Sequence, residues 1–215
     1  GGRTIHPKAL IVAPGFIDPH THIEAQLDAK DSAARLVPGF LMQGVTTAVI
    51  GNDGDGPFDM ATVLGRTRIG VNYAAHGGFG AVRKAVIGEA DRAPTAAELA
   101  QMKARVAQAM CEGAIGFSSG LFYAPQSFAR TEEVAALAAE AGRRGGIYDT
   151  HIRDESSYGI GLGAAVDEAL AIGRPSGTPV HIAHIKALGV DVHGQAPAGG
   201  AKNEAGARPR RRVAA

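Results

Sequence analysis

The stretch Val12-Ala-Pro-Gly-Phe-Ile-Asp-Pro-His-Thr-His22 decides how the rest of the chain is interpreted. Its apolar pair, Phe16-Ile17, leads into two histidines that are separated by one residue. On an extended strand, residues i and i+2 point to the same side, so His20 and His22 should converge on one point. Neutral imidazole is a common ligand of zinc and related metals. Taken alone, the triplet fits either a metal site or a polar turn after a strand, and the remaining motifs have to distinguish the two.

The composition is that of an ordinary globular protein. The chain has 215 residues, of which 45% are hydrophobic and 20% are charged, enough for one domain with a sizeable core. A net charge of +1 gives no general attraction to nucleic acid or to an anionic membrane. Cys111 is the only cysteine, so no intramolecular disulfide can form. With no signal segment and no membrane-spanning apolar run in the sequence, we expect a soluble cytoplasmic protein.

The predicted elements alternate between strands and helices. After the first strand at Phe16-Ile17, further strands are predicted at 45–50, 70–75, 114–117, 145–150 and 179–183. Helical patterns lie between them, at 32–43, after the capping box Thr95–Glu98, after Thr131 and at 161–172. This alternation, with a repeat of about thirty residues, predicts right-handed βα units and a parallel sheet.

Ligand-like residues follow the carboxyl ends of these strands, which is typical of a (β/α)8 barrel. We therefore predict an α/β fold, a partial (β/α)8 TIM barrel with about six of the eight βα units. A doubly wound open sheet is the competing architecture, but the first βα turn lacks the glycine fingerprint of a dinucleotide site. The expected division is a remnant of an N-terminal β segment at 1–14, an incomplete barrel domain at 15–195 and an irregular basic tail at 196–215. The arginines of that tail indicate a solvated segment rather than a nucleic-acid contact.

Three further residues are candidate metal ligands. Asp53 follows the second predicted strand, His151 ends the fifth, and His184 ends the sixth. Arg153 and Lys186 each follow one of these histidines by two residues. Side chains on separate strand ends converge only if the sheet curls, and that convergence is what a catalytic metal with an open coordination position requires.

Several motifs occur in order along the chain: Pro14–His22, Gln43–Thr47, Gly51–Gly54, Thr131–Glu133, Tyr148–Glu155 and His181–Gly189. Together, from about Thr4 to Gln195, they resemble the N-acyl-D-amino-acid deacylase (D-aminoacylase) family of the metal-dependent amidohydrolase superfamily. The two histidines of the first motif mark the superfamily, whereas the last two motifs are more typical of the deacylases. The resemblance implies a metal-dependent hydrolase that cleaves the amide bond of N-acyl-D-amino acids.

The same resemblance implies a set of metal ligands. His20 and His22 would line one metal position, and Asp53, His151 and His184 a tighter zinc position. Well-known family members have a cysteine where this chain has Asp53, so the site would be harder and more tolerant of manganese or cobalt, with one or two ions bound. The alternative for Asp53 is an Asx turn in a glycine-rich loop.

Substrate contacts are implied in the same way. Lys186 matches the lysine that holds the substrate carboxylate, Tyr123 lies in the loop that supplies a carboxylate-binding tyrosine, and Arg153 is a third candidate. The alternatives are a surface cation, a loop aromatic and an ion pair between Arg153 and Asp154. The family's general-base aspartate follows the eighth strand and lies beyond this chain, so the catalytic residue is unknown.

Two alternative functions stay open. A cyclic-amide hydrolase of the dihydroorotase or hydantoinase type would carry a lysine at the end of the fourth strand, and residues 114–120 contain none. The other alternative is a catalytically impaired fragment, because the segments that precede and follow the barrel in the family are largely missing from this sequence. Unpaired strand edges would then favour self-association.

Overall fold

The computed structural model describes residues 11–66 and 69–207. Within these ranges, six parallel strands form one sheet in the order of the sequence, with successive strands as neighbours. The strands are β1 (Phe16–Asp18), β2 (Val45–Ile50), β3 (Asn72–Gly78), β4 (Gly116–Gly120), β5 (Ile147–His151) and β6 (Val180–Ile182). The sheet curls into a half-barrel, which confirms the predicted α/β fold and partial TIM barrel.

Helices connect the strands and cover one face of the sheet. They are α1 (Glu24–Leu27), α2 (Ser32–Arg35), α3 (Pro38–Leu41), α4 (Met60–Leu64), α5 (Phe79–Ile87), α6 (Ala96–Cys111), α7 (Thr131–Gly142), α8 (Leu162–Gly173) and α9 (Ala196–Ala207). In the described part of the chain, none of them combines the length and the apolar character needed to cross a bilayer.

The core lies between the sheet and the longer helices. One apolar cluster joins α5, α6 and α7 to β4 and β5, and includes Phe79, Met102, Phe117, Leu137 and Tyr148. Each of these side chains is fully buried, and burying one such side chain stabilises the folded state by about 1.5–3 kcal/mol. This packing holds the carboxyl ends of the central strands at one edge of the sheet.

The sequence also predicts where α6 begins. Oγ1 of Thr95 accepts a hydrogen bond of 3.2 Å from the backbone N–H of Glu98, and the Glu98 carboxylate accepts one of 2.7 Å from the backbone N–H of Thr95. This reciprocal pair is the predicted capping box, and it satisfies two backbone donors that a helix start would otherwise leave free.

Three local predictions are wrong. The helix expected at 32–43 is instead two short helices, α2 and α3, because Pro38 disfavours helical backbone in the preceding residue and Val37 adopts a left-handed φ of 49°. The third strand continues through His76 to Gly78, where a loop was expected.

The third wrong prediction concerns the end of the chain. Residues 196–207 were expected to be irregular, yet they form α9. Its alanines favour a helix, and Nζ of Lys202 reaches Asp167 on α8 at 2.7 Å, so tertiary packing helps to order the segment. Residues 11–14 have no regular secondary structure. The rest of the expected N-terminal β remnant (1–10) and the arginines at 208–212 lie outside the described residues.

Candidate metal centre

The curled sheet brings the predicted ligands to one place. His20 and His22 follow β1, Asp53 follows β2, His151 is the last residue of β5, and His184 lies two residues beyond β6. These strands are parallel, so their carboxyl ends meet at the same edge. The structure therefore gathers all five predicted metal ligands from four different strand ends.

Short distances connect the two predicted metal positions. Nε2 of His20 lies 3.3 Å from Oδ1 of Asp53, and Nε2 of His22 lies 3.4 Å from Oδ2 of the same carboxylate. The ring centre of His184 lies 5.4 Å from that of His20 and 4.8 Å from that of His151. One donor atom each from His20, Asp53 and His184 fits within 4.8 Å of the others, a separation suited to a single bound cation.

Backbone strain accompanies two of the candidate ligands. Asp53 has a φ of 54° and His184 a φ of 28°, both in the left-handed region that residues other than glycine rarely adopt. Each such residue costs on the order of 1–3 kcal/mol, and strain of this kind concentrates at functional sites. The positive φ of Asp53 is also compatible with the Asx-turn alternative, but its carboxylate is directed at two histidines.

Several polar atoms of the cluster are buried without a hydrogen-bond partner in the described part of the chain, and this indicates whether the residues suit a cation. Both ring nitrogens of His20, Oδ1 of Asp53 and Nδ1 of His151 are buried without a hydrogen bond of proper geometry to the described residues. Buried polar atoms are normally paired, because leaving them unpaired costs free energy. Nitrogen and carboxylate oxygen are ligands of zinc, manganese and cobalt, so the cluster fits a divalent metal.

The pKa values of the cluster reflect competition between burial and charge. Burial acts to lower the pKa of His20, but the carboxylates of Asp149 and Asp53 outweigh it and raise that pKa to about 9. Burial acts to raise the pKa of Asp53, yet His20 and the other nearby histidines lower it overall. The pKa of His151 is lowered, chiefly by burial. The negative charge that favours protonated His20 would equally favour a bound cation.

Asp149 is a buried carboxylate that the sequence analysis did not assign to the site. It lies on β5 with its side chain fully buried, and its Oδ1 is 2.5 Å from Nδ1 of His181. Its other oxygen, Oδ2, is 3.3 Å from Nδ1 of His20. Asp149 precedes His151 by two residues on a strand, so the alternation of side chains along β5 could have placed both on the same side.

Glu155 is a second carboxylate at the cluster that the sequence motifs do not assign to the site. Its Oε1 lies 3.4 Å from Nδ1 of His151, 3.2 Å from Nδ1 of His184 and 2.7 Å from Nζ of Lys186. With the two histidines it forms a second group of potential ligands within 4.8 Å. Glu155 stands within the Tyr148–Glu155 motif but follows the end of β5, where strand periodicity no longer predicts the direction of a side chain.

Two of the predicted substrate contacts lie at the cluster. Lys186 hydrogen-bonds to Glu155 and approaches Nδ1 of His184 at 3.1 Å. Tyr123 stacks on His151 with ring centres 4.9 Å apart and is 45% exposed, so it forms a wall of the site that solvent can reach.

Arg153, in contrast, is directed away from the cluster. Its guanidinium makes hydrogen bonds of 2.8 and 2.9 Å to Glu168 on α8 and donates to the backbone carbonyls of Ser127 and Ala129. The alternative, an ion pair with Asp154, does not form either, because that carboxylate accepts hydrogen bonds from backbone N–H groups of the following loop. The chain leaves the strand at His151, so a spacing of two residues no longer brings Arg153 to the same side.

Comparison with models of known protein families finds no match. The chain is 36% identical over 208 residues to a D-aminoacylase of Alcaligenes xylosoxydans xylosoxydans, an alignment that covers 85% of this chain and 42% of the relative. It is also 36% identical over 222 residues to an N-acyl-D-aspartate deacylase of the same organism, which covers 91% of this chain and 43% of the relative. The chain thus spans less than half the length of these relatives.

Solved structures agree with the sequence comparison. A crystal structure of D-aminoacylase, described as defining a novel subset of amidohydrolases, matches with a TM-score of 0.79 and 33% identity over 90% of this chain and 45% of its own. An N-acyl-D-glutamate deacylase of Bordetella bronchiseptica, complexed with zinc and a phosphonate inhibitor, matches with a TM-score of 0.79 and 31% identity. That alignment covers 90% of this chain and 44% of the neighbour.

Proposed function

We propose that this chain, which belongs to the N-acyl-D-amino-acid deacylase (D-aminoacylase) family of amidohydrolases, carries the metal centre of a hydrolase that cleaves the amide bond of N-acyl-D-amino acids. The observation that carries this proposal is the convergence of His20, Asp53, His151 and His184 from four strand ends on one partly buried cluster. Unpaired buried donor atoms within the cluster support its use as a cation site.

A divalent metal bound there would lower the pKa of a coordinated water and polarise the acyl carbonyl of the substrate. The protein's own residues would divide the remaining tasks. His20, Asp53 and the strand-end histidines would hold the cation. Glu155 restrains the rings of His151 and His184, because its Oε1 contacts the Nδ1 atom of each. The residue that transfers the proton to the leaving amine is not assigned among the described residues.

Zinc is the metal that we propose first. A similar deacylase is described as complexed with zinc, and the histidines of this cluster supply nitrogen ligands that zinc favours. The carboxylate of Asp53 is a harder ligand than a thiolate would be, so manganese and cobalt should also bind. One or two ions fit the two overlapping ligand groups that share His184.

The substrate that we propose is a small N-acyl-D-amino acid. The relatives named above include a D-aminoacylase and an N-acyl-D-aspartate deacylase at the same identity, so similarity does not select among side chains. Lys186 would hold the substrate carboxylate, because its ammonium group lies beside His184 at the edge of the cluster. Tyr123 would form the wall next to it. Cytoplasmic location and the lack of nucleic-acid or membrane partners stay predictions from the sequence.

The test begins with metal content. The purified full chain would be stripped of metal, titrated with zinc, manganese and cobalt by calorimetry, and then assayed on N-acetyl derivatives of D-methionine, D-aspartate and D-glutamate, with dihydroorotate as the cyclic-amide alternative. We expect metal-dependent release of a free D-amino acid, abolished in His151→Ala. Activity that persists in His151→Ala would point to a contaminant.

Two other outcomes would favour the alternatives. Metal binding without turnover on any substrate would favour the catalytically impaired alternative, and no metal binding would overturn the proposal altogether. Light scattering would measure self-association. Association would be expected if the open edge of the sheet pairs with another copy, since Phe16 and Ile17 of β1 are each 67% exposed.

A further inference from the structure

The geometry of β5 points to Asp149 as the residue that positions His20 for metal binding, an inference that rests on the function proposed above. Asp149 lies beneath the cluster and does not itself belong to either group of potential ligands. Its carboxylate connects two histidines from different strand ends, with Oδ1 at 2.5 Å from His181 and Oδ2 at 3.3 Å from His20.

The orientation of the His20 ring follows from its two carboxylate neighbours. Nδ1 faces Asp149 at 3.3 Å, whereas Nε2 faces Asp53 at 3.3 Å on the side of the cluster. Both nitrogens therefore face carboxylate oxygens, which accept but do not donate. Asp53 belongs to a group of potential metal ligands and Asp149 does not, so a bound cation would replace the proton on Nε2 and leave the proton on Nδ1, opposite Asp149. The lone pair of Nε2 is then free for a metal, the arrangement that carboxylate–histidine–metal triads use to fix tautomer and ring orientation.

The sheet and a hydrogen bond from His181 restrain the side chain of Asp149. Its strand lies between β4 and β6, with Asp149 in register with Ser118 on one side and His181 on the other. The side chain is fully buried, and the short hydrogen bond from His181 restrains one carboxylate oxygen. The other oxygen, Oδ2, has no other hydrogen-bond partner among the described residues, so it is available to His20. The rigid sheet therefore presents a preformed acceptor to a histidine that lies in a turn.

The first experiment measures metal affinity in matched variants. Asp149→Asn keeps the shape of the side chain but removes its charge, whereas His181→Gln removes the other partner and leaves Asp149 in place. We expect the zinc affinity of Asp149→Asn to fall by about 10- to 100-fold, as for other carboxylates that orient a metal-bound histidine. The zinc affinity of His181→Gln should fall much less than that of Asp149→Asn. Equal affinity in Asp149→Asn and the unchanged protein would overturn the inference.

A second measurement does not depend on any variant folding. In the zinc-loaded unchanged protein, long-range proton–nitrogen NMR correlations of the histidine rings report which nitrogen carries the proton. We expect His20 with Nδ1 protonated and Nε2 bound to the metal. Coordination through Nδ1 would overturn the role of Asp149. If the unchanged protein binds no zinc at all, the proposed metal centre fails instead, so the two failures can be told apart.

Discussion

Lys186 and Glu155 form an ion pair with 2.7 Å between Nζ and Oε1, and the same carboxylate oxygen lies 3.2 Å from Nδ1 of His184. Glu155 is almost fully buried, whereas the side chain of Lys186 is 46% exposed. The pair therefore joins a histidine of the candidate metal cluster to a cation at the open side of the cluster. This arrangement holds the ammonium group at a defined distance from the cluster while leaving part of it accessible to a substrate.

The first prediction separates substrate binding from metal binding. Lys186→Met removes the ammonium but keeps an unbranched side chain. We expect the KM for an N-acetyl-D-amino acid to rise by about 10- to 100-fold, because a charge-assisted hydrogen bond contributes about 1.5–3 kcal/mol. Zinc affinity should change much less. Lys202→Met is the control, since its ammonium pairs with Asp167 on α8. An unchanged KM in Lys186→Met would exclude this lysine as the carboxylate anchor.

The second prediction concerns metal selectivity at Asp53. Replacing this carboxylate by a thiolate in Asp53→Cys should shift the preference toward zinc and away from manganese, because thiolate is the softer ligand. Competition between the two metals, followed by elemental analysis of the dialysed protein, measures the shift. Asp55→Asn is the control in the same loop, since Asp55 belongs to neither group of potential ligands. If Asp53→Cys and the unchanged protein select metals alike, Asp53 is not a ligand and the Asx-turn alternative holds.

The third prediction assigns Arg153 to stability. Arg153→Met removes its hydrogen bonds to Glu168 and to two backbone carbonyls, and leaves the mostly buried Glu168 carboxylate with the Thr131 hydroxyl as its remaining partner. We expect a loss of about 1–3 kcal/mol in the free energy of unfolding. Zinc affinity should be unchanged, because the guanidinium is directed away from the cluster.

Denaturant unfolding and zinc titration of the same Arg153→Met sample make this comparison. Arg143→Met is its control: the Arg143 side chain is exposed, and its partner Glu140 keeps Lys103 and Arg144, so the loss should be only about 0–1 kcal/mol. A large change in substrate binding with unchanged stability would restore Arg153 as a substrate contact.

The fourth prediction is a pH dependence at the start of α6. The Arg92 guanidinium and the backbone N–H of Thr95 lower the pKa of Glu98 from its ordinary 4.5 to about 2. Ionised Glu98 therefore stabilises the fold above pH 4.5, and this contribution is lost as the pH falls through about 2.

We expect the stability difference between the unchanged protein and Glu98→Gln to be constant near neutral pH. It should shrink as the solution is acidified below pH 4.5. Carbon-13 NMR titration of the Glu98 carboxyl measures the pKa directly. A midpoint near the ordinary value would show that the capping box does not hold the carboxylate in solution.

Local sequence determined individual strands and helix ends of this protein. The β-branched run of β2 and the capping box of α6 act over a few neighbouring residues, so their patterns can be interpreted without the fold. The same holds for the placing of His20, Asp53 and His184 after strands, since parallel strands bring their carboxyl ends to one edge. On that basis, and with the family resemblance, the sequence predicts five candidate metal ligands, and the structure places all five at that edge.

Only the tertiary structure decided the direction of side chains that follow the strands. Arg153 and Glu155 are close in sequence and belong to one motif, yet one pairs with Glu168 on α8 and the other lies under two histidines. Beyond the end of a strand the backbone has no fixed period, so packing against distant elements sets which way each side chain points. Asp149 belongs to the strand itself, but its partnership with His20 exists only because the sheet curls and brings β1 over β5.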